Sequence, residues 1–257
     1  MSANLSFAGC PRSSIWSAGQ NLWKQFRRRY YRPWRQVTYA GIRVHYKKHL
    51  DGGGTGFGQG FVPLLQGRGM PKQQRIFEWC AGPGFIGFSL YGHGLCETLC
   101  LADINGSAVD ACHRTISDNG LAEHVSVYKS DNLKAIPASE RWDLVVGNPP
   151  HFADDYSGSL RDHDEDWRLH RSFFHTVGPF LKEGGVIVLQ ENSRGSTVDS
   201  FRTMIEESGL SIVFVVGGTP ERTPFDRFYY IGLMRRADTL PQWARTIPPT
   251  ISVPSRA

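Results

Sequence analysis

The sequence predicts an α/β fold, a mostly parallel sheet with helices on both faces and an antiparallel strand pair at one edge. Three observations carry this. From residue 75 onward, short apolar runs alternate with segments whose apolar residues recur at helical spacing. Such alternation gives a parallel sheet covered on both sides. Gly94 and Gly120 stand directly after two of the helical segments, where a left-handed residue ends a helix. The last two apolar runs, 211–216 and 228–234, are joined by a turn-rich loop with no helical pattern, so they pair antiparallel.

Residues 1–20 are rich in Ser, Ala and Gly. Trp16, Trp23, Phe26 and Tyr30 then recur at helical spacing, with Lys24, Arg27, Arg28 and Arg29 mostly on other faces and Pro33 as the stop. This is a helix that packs an aromatic stripe and solvates a basic face, or else a lid or an RNA-contacting element. Val37–Tyr46 reads as a hairpin turning at Ala40-Gly41. Asp51–Gly60 holds six glycines in ten residues, with no Gly-Lys-Ser/Thr to make it a phosphate loop. It is either a linker or a cover over a bound ligand. Residues 1–60 thus form an N-terminal helix and hairpin appendage, 61–240 the main domain, and the Pro/Thr/Ser-rich 241–257 a flexible tail.

Within the main domain, strands are expected at Arg75–Cys80, Glu97–Ile104, His124–Asp131, Trp142–Gly147 and Gly185–Gln190. Helices are expected at Phe85–His93, Ser107–Asn119, Glu165–Leu181 and Thr197–Ser208. With the terminal pair this makes seven strands.

At 257 residues with 40% hydrophobic content, the chain can bury a full core. A net charge of +5 permits a nucleic-acid or other acidic partner without requiring one. Five cysteines form no Cys-x-x-Cys pair and leave an odd count, which suits reduced thiols in a cytoplasmic protein. No Cys/His cluster has ligand spacing, so no metal is expected. No apolar run approaches the ~20 residues of a membrane span, and the N-terminus lacks a signal-peptide core.

Four elements fall at the carboxyl ends of successive strands, where open α/β sheets bind ligands. The first is Glu78-Trp-Cys-Ala-Gly-Pro-Gly84, in which Gly82 and Gly84 allow close backbone approach. The strand-end acid disfavours a diphosphate and favours a cationic or zwitterionic ligand. The second is Asp103, followed by Ile104, a carboxylate placed either to accept both hydroxyls of a ribose or to serve as an acid at the N-terminus of the helix that follows. The third is Ser130-Asp131-Asn132, which either bonds an exocyclic amine such as that of adenine or caps a helix over Asn132–Ile136. The fourth is Asn148-Pro-Pro-His151. Its prolines fix φ and donate no N–H, so local carbonyls stay free to accept hydrogens from a planar nitrogen.

In this order and spacing, the four elements resemble the class I S-adenosylmethionine-dependent methyltransferases. The closer likeness is to the branch with Asn-Pro-Pro-(Tyr/Phe/Trp), which includes the release-factor glutamine, N6-adenine and rRNA guanine-N2 methyltransferases. The resemblance covers about residues 60–236. It implies a Rossmann-like seven-stranded sheet and S-adenosyl-L-methionine as cofactor. It further implies that Glu78 orients the methionine amino end and that Cys80, Gly82 and Gly84 line the cofactor. Asp103 would hold the ribose and Asp131 the adenine, Ile104, Asn132 and Asn148 would also contact the cofactor, and Asn148 with the Pro149 carbonyl would hold the target nitrogen. Cys80 stands where the family has its first glycine. His151 stands where it has an aromatic ring, which adds a group able to position the substrate or take a proton. His151, Phe152 and Phe57 are the candidate substrate contacts.

The expected activity is N-methylation of a small molecule or of a protein or peptide nitrogen. A base methyltransferase acting on rRNA or tRNA is the alternative. A second is a non-methylating reaction on the same cofactor that releases methylthioadenosine. The acidic stretch Asp154–Asp166 beside the motif is read as a solvated loop that repels nucleic-acid phosphates. His170 and His175 are read as structural or surface residues.

Overall fold

The computed structural model describes residues 33–50, 54–56, 58–154, 162–217 and 228–245. The aromatic-basic helix expected over residues 16–30, and Phe57, lie outside them. Described in chain order, a hairpin of β1 (Trp34–Tyr39) and β2 (Ile42–Lys47) comes first, then α1 (Phe61–Gly67), β3 (Gln73–Trp79) and α2 (Phe85–Gly92). Next come β4 (Cys96–Asp103), α3 (Gly106–Asn119), β5 (Val125–Lys129), β6 (Trp142–Gly147) and α4 (Arg168–Val177). The chain continues through β7 (Leu181–Asn192), α5 (Val198–Glu207), β8 (Leu210–Gly217), β9 (Phe228–Arg235) and α6 (Gln242–Arg245).

The main sheet has seven strands in the order β5-β4-β3-β6-β7-β9-β8. Strands β3 to β7 are mutually parallel, whereas β9 inserts between β7 and β8 antiparallel to both. The antiparallel pair predicted from sequence is therefore present, with β8 rather than β9 at the edge. Alternation along each strand feeds two cores. Ile76, Leu99, Leu101, Leu144, Val146, Val186 and Val188 face α1, α2, α3 and the hairpin. Phe77, Trp79, Val145, Ile187, Leu189 and Ile231 face α4 and α5.

Several boundaries differ from expectation, each for a local reason. The hairpin does not stand apart, and the compact unit runs from Arg35 onward. Its Ala40-Gly41 turn has φ of 45° and 89°, the primed turn that suits strand twist. Side chains of α3 then stitch β2 down: His45 N–H donates to Thr115 Oγ1 at 2.9 Å and Arg43 N–H to Asn119 Oδ1 at 3.1 Å. The tail does not begin at Pro241, because α6 buries Trp243 and Ala244 in the first core. Burying such a side chain stabilises by on the order of 2–3 kcal/mol. The helix expected over Glu165–Leu181 is shorter. Asp166 and Trp167 adopt left-handed φ of 51° and 55° before α4, and Pro179 ends it. No helix forms over Asn132–Ile136, since Asn132 has φ 55° and the Ser130 hydroxyl accepts the Ala135 N–H at 3.0 Å, closing a turn instead. Among the described residues no helix is long and apolar enough to cross a membrane.

Candidate active site

Strand order places the ends of β4 and β6 on either side of β3, and the direction of winding reverses there. In open α/β sheets this is where the ligand crevice opens. The register sets the levels: Trp79 pairs with Ala102 and with Gly147, and Gly147 with Leu189. The turn after β3, Asp103, Asn148 and the end of β7 therefore leave the sheet side by side.

The turn after β3 is backbone in an unusual conformation. Cys80, Gly82 and Gly84 have φ of 53°, 53° and 79°. At Gly84 a Cβ would lie 2.7 Å from the Phe88 ring, so only glycine turns into α2 here. Glu78, 2% exposed, points into the start of that helix, where its Oε2 accepts the Gly87 N–H at 2.7 Å. Burial pushes its carboxyl up to about 8, against the pull of the Gly87 and Ile86 N–H groups and with help from the Asp103 charge. A value near 8 favours the protonated carboxyl at neutral pH.

Asp103 is not a helix cap. Asn105 caps α3 by accepting the Ser107 N–H at 3.0 Å. Asp103 instead accepts the Gly82 N–H at 2.7 Å and the Asn105 N–H at 2.8 Å. Burial raises its carboxyl, and these backbone N–H groups with that of Ile104 oppose the rise. Ile104 is 63% exposed, the one large apolar side chain left to solvent among the described residues. An apolar side chain open at a strand end offers a surface to a flat ring. Asp131 is exposed and paired with Lys134 at 2.5 Å. Asn132 is buried, donates to the Leu169 carbonyl at 3.2 Å, and leaves its Oδ1 without a hydrogen-bond partner among the described residues.

Asn148 follows β6 directly, and its Oδ1 is a buried acceptor with no hydrogen-bond partner among the described residues. Pro149 is buried. His151 is 12% exposed, with its Nδ1 3.5 Å from Glu191 Oε2 and its ring 5.9 Å from that of Phe228. Phe152 is pinned by its backbone, which donates to the Asp162 carbonyl at 3.1 Å and accepts from the Asp164 N–H at 2.8 Å. Gly195 lets the turn after β7 lie against this segment, because a Cβ there would sit 1.9 Å from the His151 carbonyl.

Three further residues stand at this site: Glu191, which the sequence reading did not name, His170, which it read as structural or surface, and Asp164, which it placed in a solvated loop. Glu191, at the end of β7, is fully buried and lies between His151 and His170. His170 is fully buried and faces Asp164 and Glu191. Asp164 is not a solvated loop acid, since it is 5% exposed and accepts the Leu169 and His170 N–H groups at the start of α4. The signal available for Glu191 was the one that picked out Glu78 and Asp103, an acid closing a buried strand. Among the described residues no group of three or more His, Cys, Asp or Glu is arranged to hold a metal ion.

The T. thermophilus 16S rRNA N2 G1207 methyltransferase in complex with AdoMet and guanosine superposes with a TM-score of 0.51 at 14% identity, over 77% of this chain and 50% of that one. At that identity the likeness shows the fold. In sequence, a release factor glutamine methyltransferase of Clostridium botulinum is 33% identical over 91 residues, 35% of this chain and 32% of the relative. A ribosomal RNA small subunit methyltransferase C of Shewanella sp. (strain MR-4) is 31% identical over 109 residues, 42% of this chain and 28% of the relative. The aligned part thus spans about a third of these relatives' length, and they lend no support to a non-methylating reaction. Residues 44–208, from β2 to the end of α5, match the family model described as methyltransferase small domain, and the chain belongs to that family.

Proposed function

We propose that the chain is a cytoplasmic S-adenosyl-L-methionine-dependent N-methyltransferase acting on a planar amide, amine or heteroaromatic nitrogen of a small molecule or of a protein or peptide. The observation that carries this reading is the buried, unpartnered Oδ1 of Asn148 beside two residues that donate no backbone N–H. A buried acceptor left open is unfavourable until an N–H donor arrives. The acceptor nitrogen supplies one, and the Pro149 carbonyl takes its second hydrogen.

The chain's own residues fit the cofactor. Asp103, anchored by two backbone N–H groups, is held ready for ribose hydroxyls, and Ile104 exposes an apolar face for adenine. Asn132 keeps an open acceptor beside Asp131 for the exocyclic amine. Cys80, Gly82 and Gly84 line the approach, and Glu78 beneath the turn gives a carboxyl toward the methionine amino end. The bound cofactor supplies a methyl group on a positively charged sulfur. Asn148 and Pro149 orient the nitrogen lone pair toward it, and positioning of this kind accounts for most of the rate. His151, with Phe152 beside it, holds the acceptor from the other side.

One observation keeps the nucleic-acid alternative open. Asp164 is turned inward onto His170, and Glu165 pairs with Arg168 at 2.8 Å, so the loop repels phosphates less than its composition suggests. The relatives named above include both glutamine and rRNA methyltransferases.

The test is Asn148→Ala. Calorimetry with S-adenosylhomocysteine should show nearly unchanged affinity, while turnover on a glutamine-bearing peptide or an rRNA fragment falls by about two orders of magnitude or more. Loss of cofactor affinity instead would mean that Asn148 serves the cofactor. Filter binding of the RNA at two salt concentrations separates the acceptors, because a steep loss with salt marks the nucleic-acid enzyme.

A further inference from the structure

Four ionisable side chains form a chain from the protein interior to the site. Asp164 Oδ2 lies 2.7 Å from His170 Nδ1, His170 Nε2 lies 3.1 Å from Glu191 Oε1, and Glu191 Oε2 lies 3.5 Å from His151 Nδ1. Both ring nitrogens of His170 face carboxylate oxygens. Only the doubly protonated ring, donating at both, satisfies both contacts. Burial alone would push the His170 ring down, but Glu191 and Asp164 overcome this and raise it to about 9. Both carboxylates lie below their usual range, against the effect of burial, because His170 donates to them.

This cluster sits in an aromatic shell. Phe201 stacks on the His170 ring at 4.8 Å, and the edges of Trp79 and Trp167 meet it at 5.5 and 5.4 Å. Taking two carboxylates and an imidazolium into such a shell is unfavourable unless each is fully paired, and a hydrophobic replacement is often as stable. The outward end of the cluster is His151 at the acceptor site. Among the described residues, Tyr229, the register partner of Glu191 on β9, shares a hydrogen bond with Ser196, and desolvation pushes the half-buried Cys80 thiol far up, so it stays neutral.

We propose that Glu191 is a positioning residue that holds His151 in the tautomer protonated at Nδ1, leaving the Nε2 lone pair to take the proton released by the methylated nitrogen. This rests on the methyl-transfer reading above. The nitrogen lone pair forms the new N–C bond, and the C–S bonding pair stays on sulfur, which becomes neutral. The N–H pair stays on nitrogen, and its proton moves to His151 Nε2. With His151 neutral the cluster carries one net negative charge, and the added proton brings it to zero. His151 is part-exposed and can then pass the proton to water. The 3.5 Å separation from Glu191 is at the long limit for a hydrogen bond.

The test reads the histidine rings directly, by two-bond 15N–1H correlation on the full chain at a pH where His151 is neutral. In the wild type we expect His151 protonated at Nδ1 only and His170 protonated at both nitrogens. In Glu191→Leu the His151 tautomer should shift to Nε2–H. Glu191→Gln serves where the leucine variant does not fold, and there the two tautomers should mix. A wild-type His151 protonated at Nε2, or a tautomer unchanged in both variants, overturns the proposal. Wild-type calorimetry with S-adenosylhomocysteine separates the two readings. Absent cofactor binding removes the methyl-transfer reading whatever the rings show, whereas intact binding with the wrong tautomer removes only the role of Glu191.

Discussion

Cys80 shows what a single residue can reveal about a turn. It occupies a left-handed conformation, φ 53°, at the position where the resembling family carries glycine. An L-residue there carries a penalty of about 1 kcal/mol, and glycine carries an entropic one that is smaller or similar. We expect Cys80→Gly to leave the turn unchanged and to raise unfolding stability by up to about 1 kcal/mol in urea titrations. A clear loss would mean that thiol packing outweighs the strain. Glu78 makes the same point about charge. In sequence it is an acid at a strand end, but only burial decides that it holds a proton near pH 7.

At the scale of elements, the antiparallel insertion of β9 depends on close packing across its face. Gly232 lies opposite Phe214 of β8, and a Cβ there would come within 2.2 Å of the phenyl ring. The ring covers the bare backbone of β9 in place of a side chain. Gly232→Ala should therefore destabilise by about 1–3 kcal/mol, as overpacking of a filled core does. Adding Phe214→Leu should recover part of that loss in chemical denaturation. Additive losses in the double variant would mean that the two positions do not share the contact. The hairpin is a second case. Its strands and primed turn could be read from Val37–Tyr46, but its attachment could not. Thr115 and Asn119, which hold β2, lie about seventy residues away.

For the molecule as a whole, the buried ionisable groups set a pH dependence with a definite sign. The folded value of His170, about 9, lies above its ordinary 6.5, so its contribution is full below 6.5 and is lost as pH rises through 9. Glu78, at about 8 against 4.5, contributes fully below 4.5 and loses that contribution as pH rises through 8. Asp164 and Glu191 lie below their ordinary values and act in the opposite sense, losing their contribution as pH falls through the folded values. His45, which burial holds below its ordinary value, likewise favours folding at higher pH. The ligand-free protein should thus be most stable in mildly acidic solution. Thermal midpoints should fall from pH 6 to pH 9 by the equivalent of a few kcal/mol, on the order expected for shifts of this size. Glu78→Gln should flatten the part of that slope below pH 8 and leave the part due to His170. A profile level from pH 6 to 9 would contradict both assignments.

Sequence alone determined the layered α/β fold, its strand sequence and the strand ends at which Glu78, Asp103 and Asn148 stand. Each rests on local chemistry: apolar periodicity, glycine where the chain must turn left-handed, acids and an Asn-Pro-Pro turn where strands stop. It also marked Ile104 and His151, through their adjacency to those acids and prolines. Tertiary structure alone decided what these residues face. Asp131 turns to Lys134, Asp103 to the Gly82 N–H, and Asp164 inward to His170. His170 and Glu191 are 21 positions apart in the chain and meet only when α4 packs on β7. Whether a buried acid is charged, and whether a histidine is core or part of a site, depends on neighbours brought together by the fold. Spacing along the chain holds no record of them.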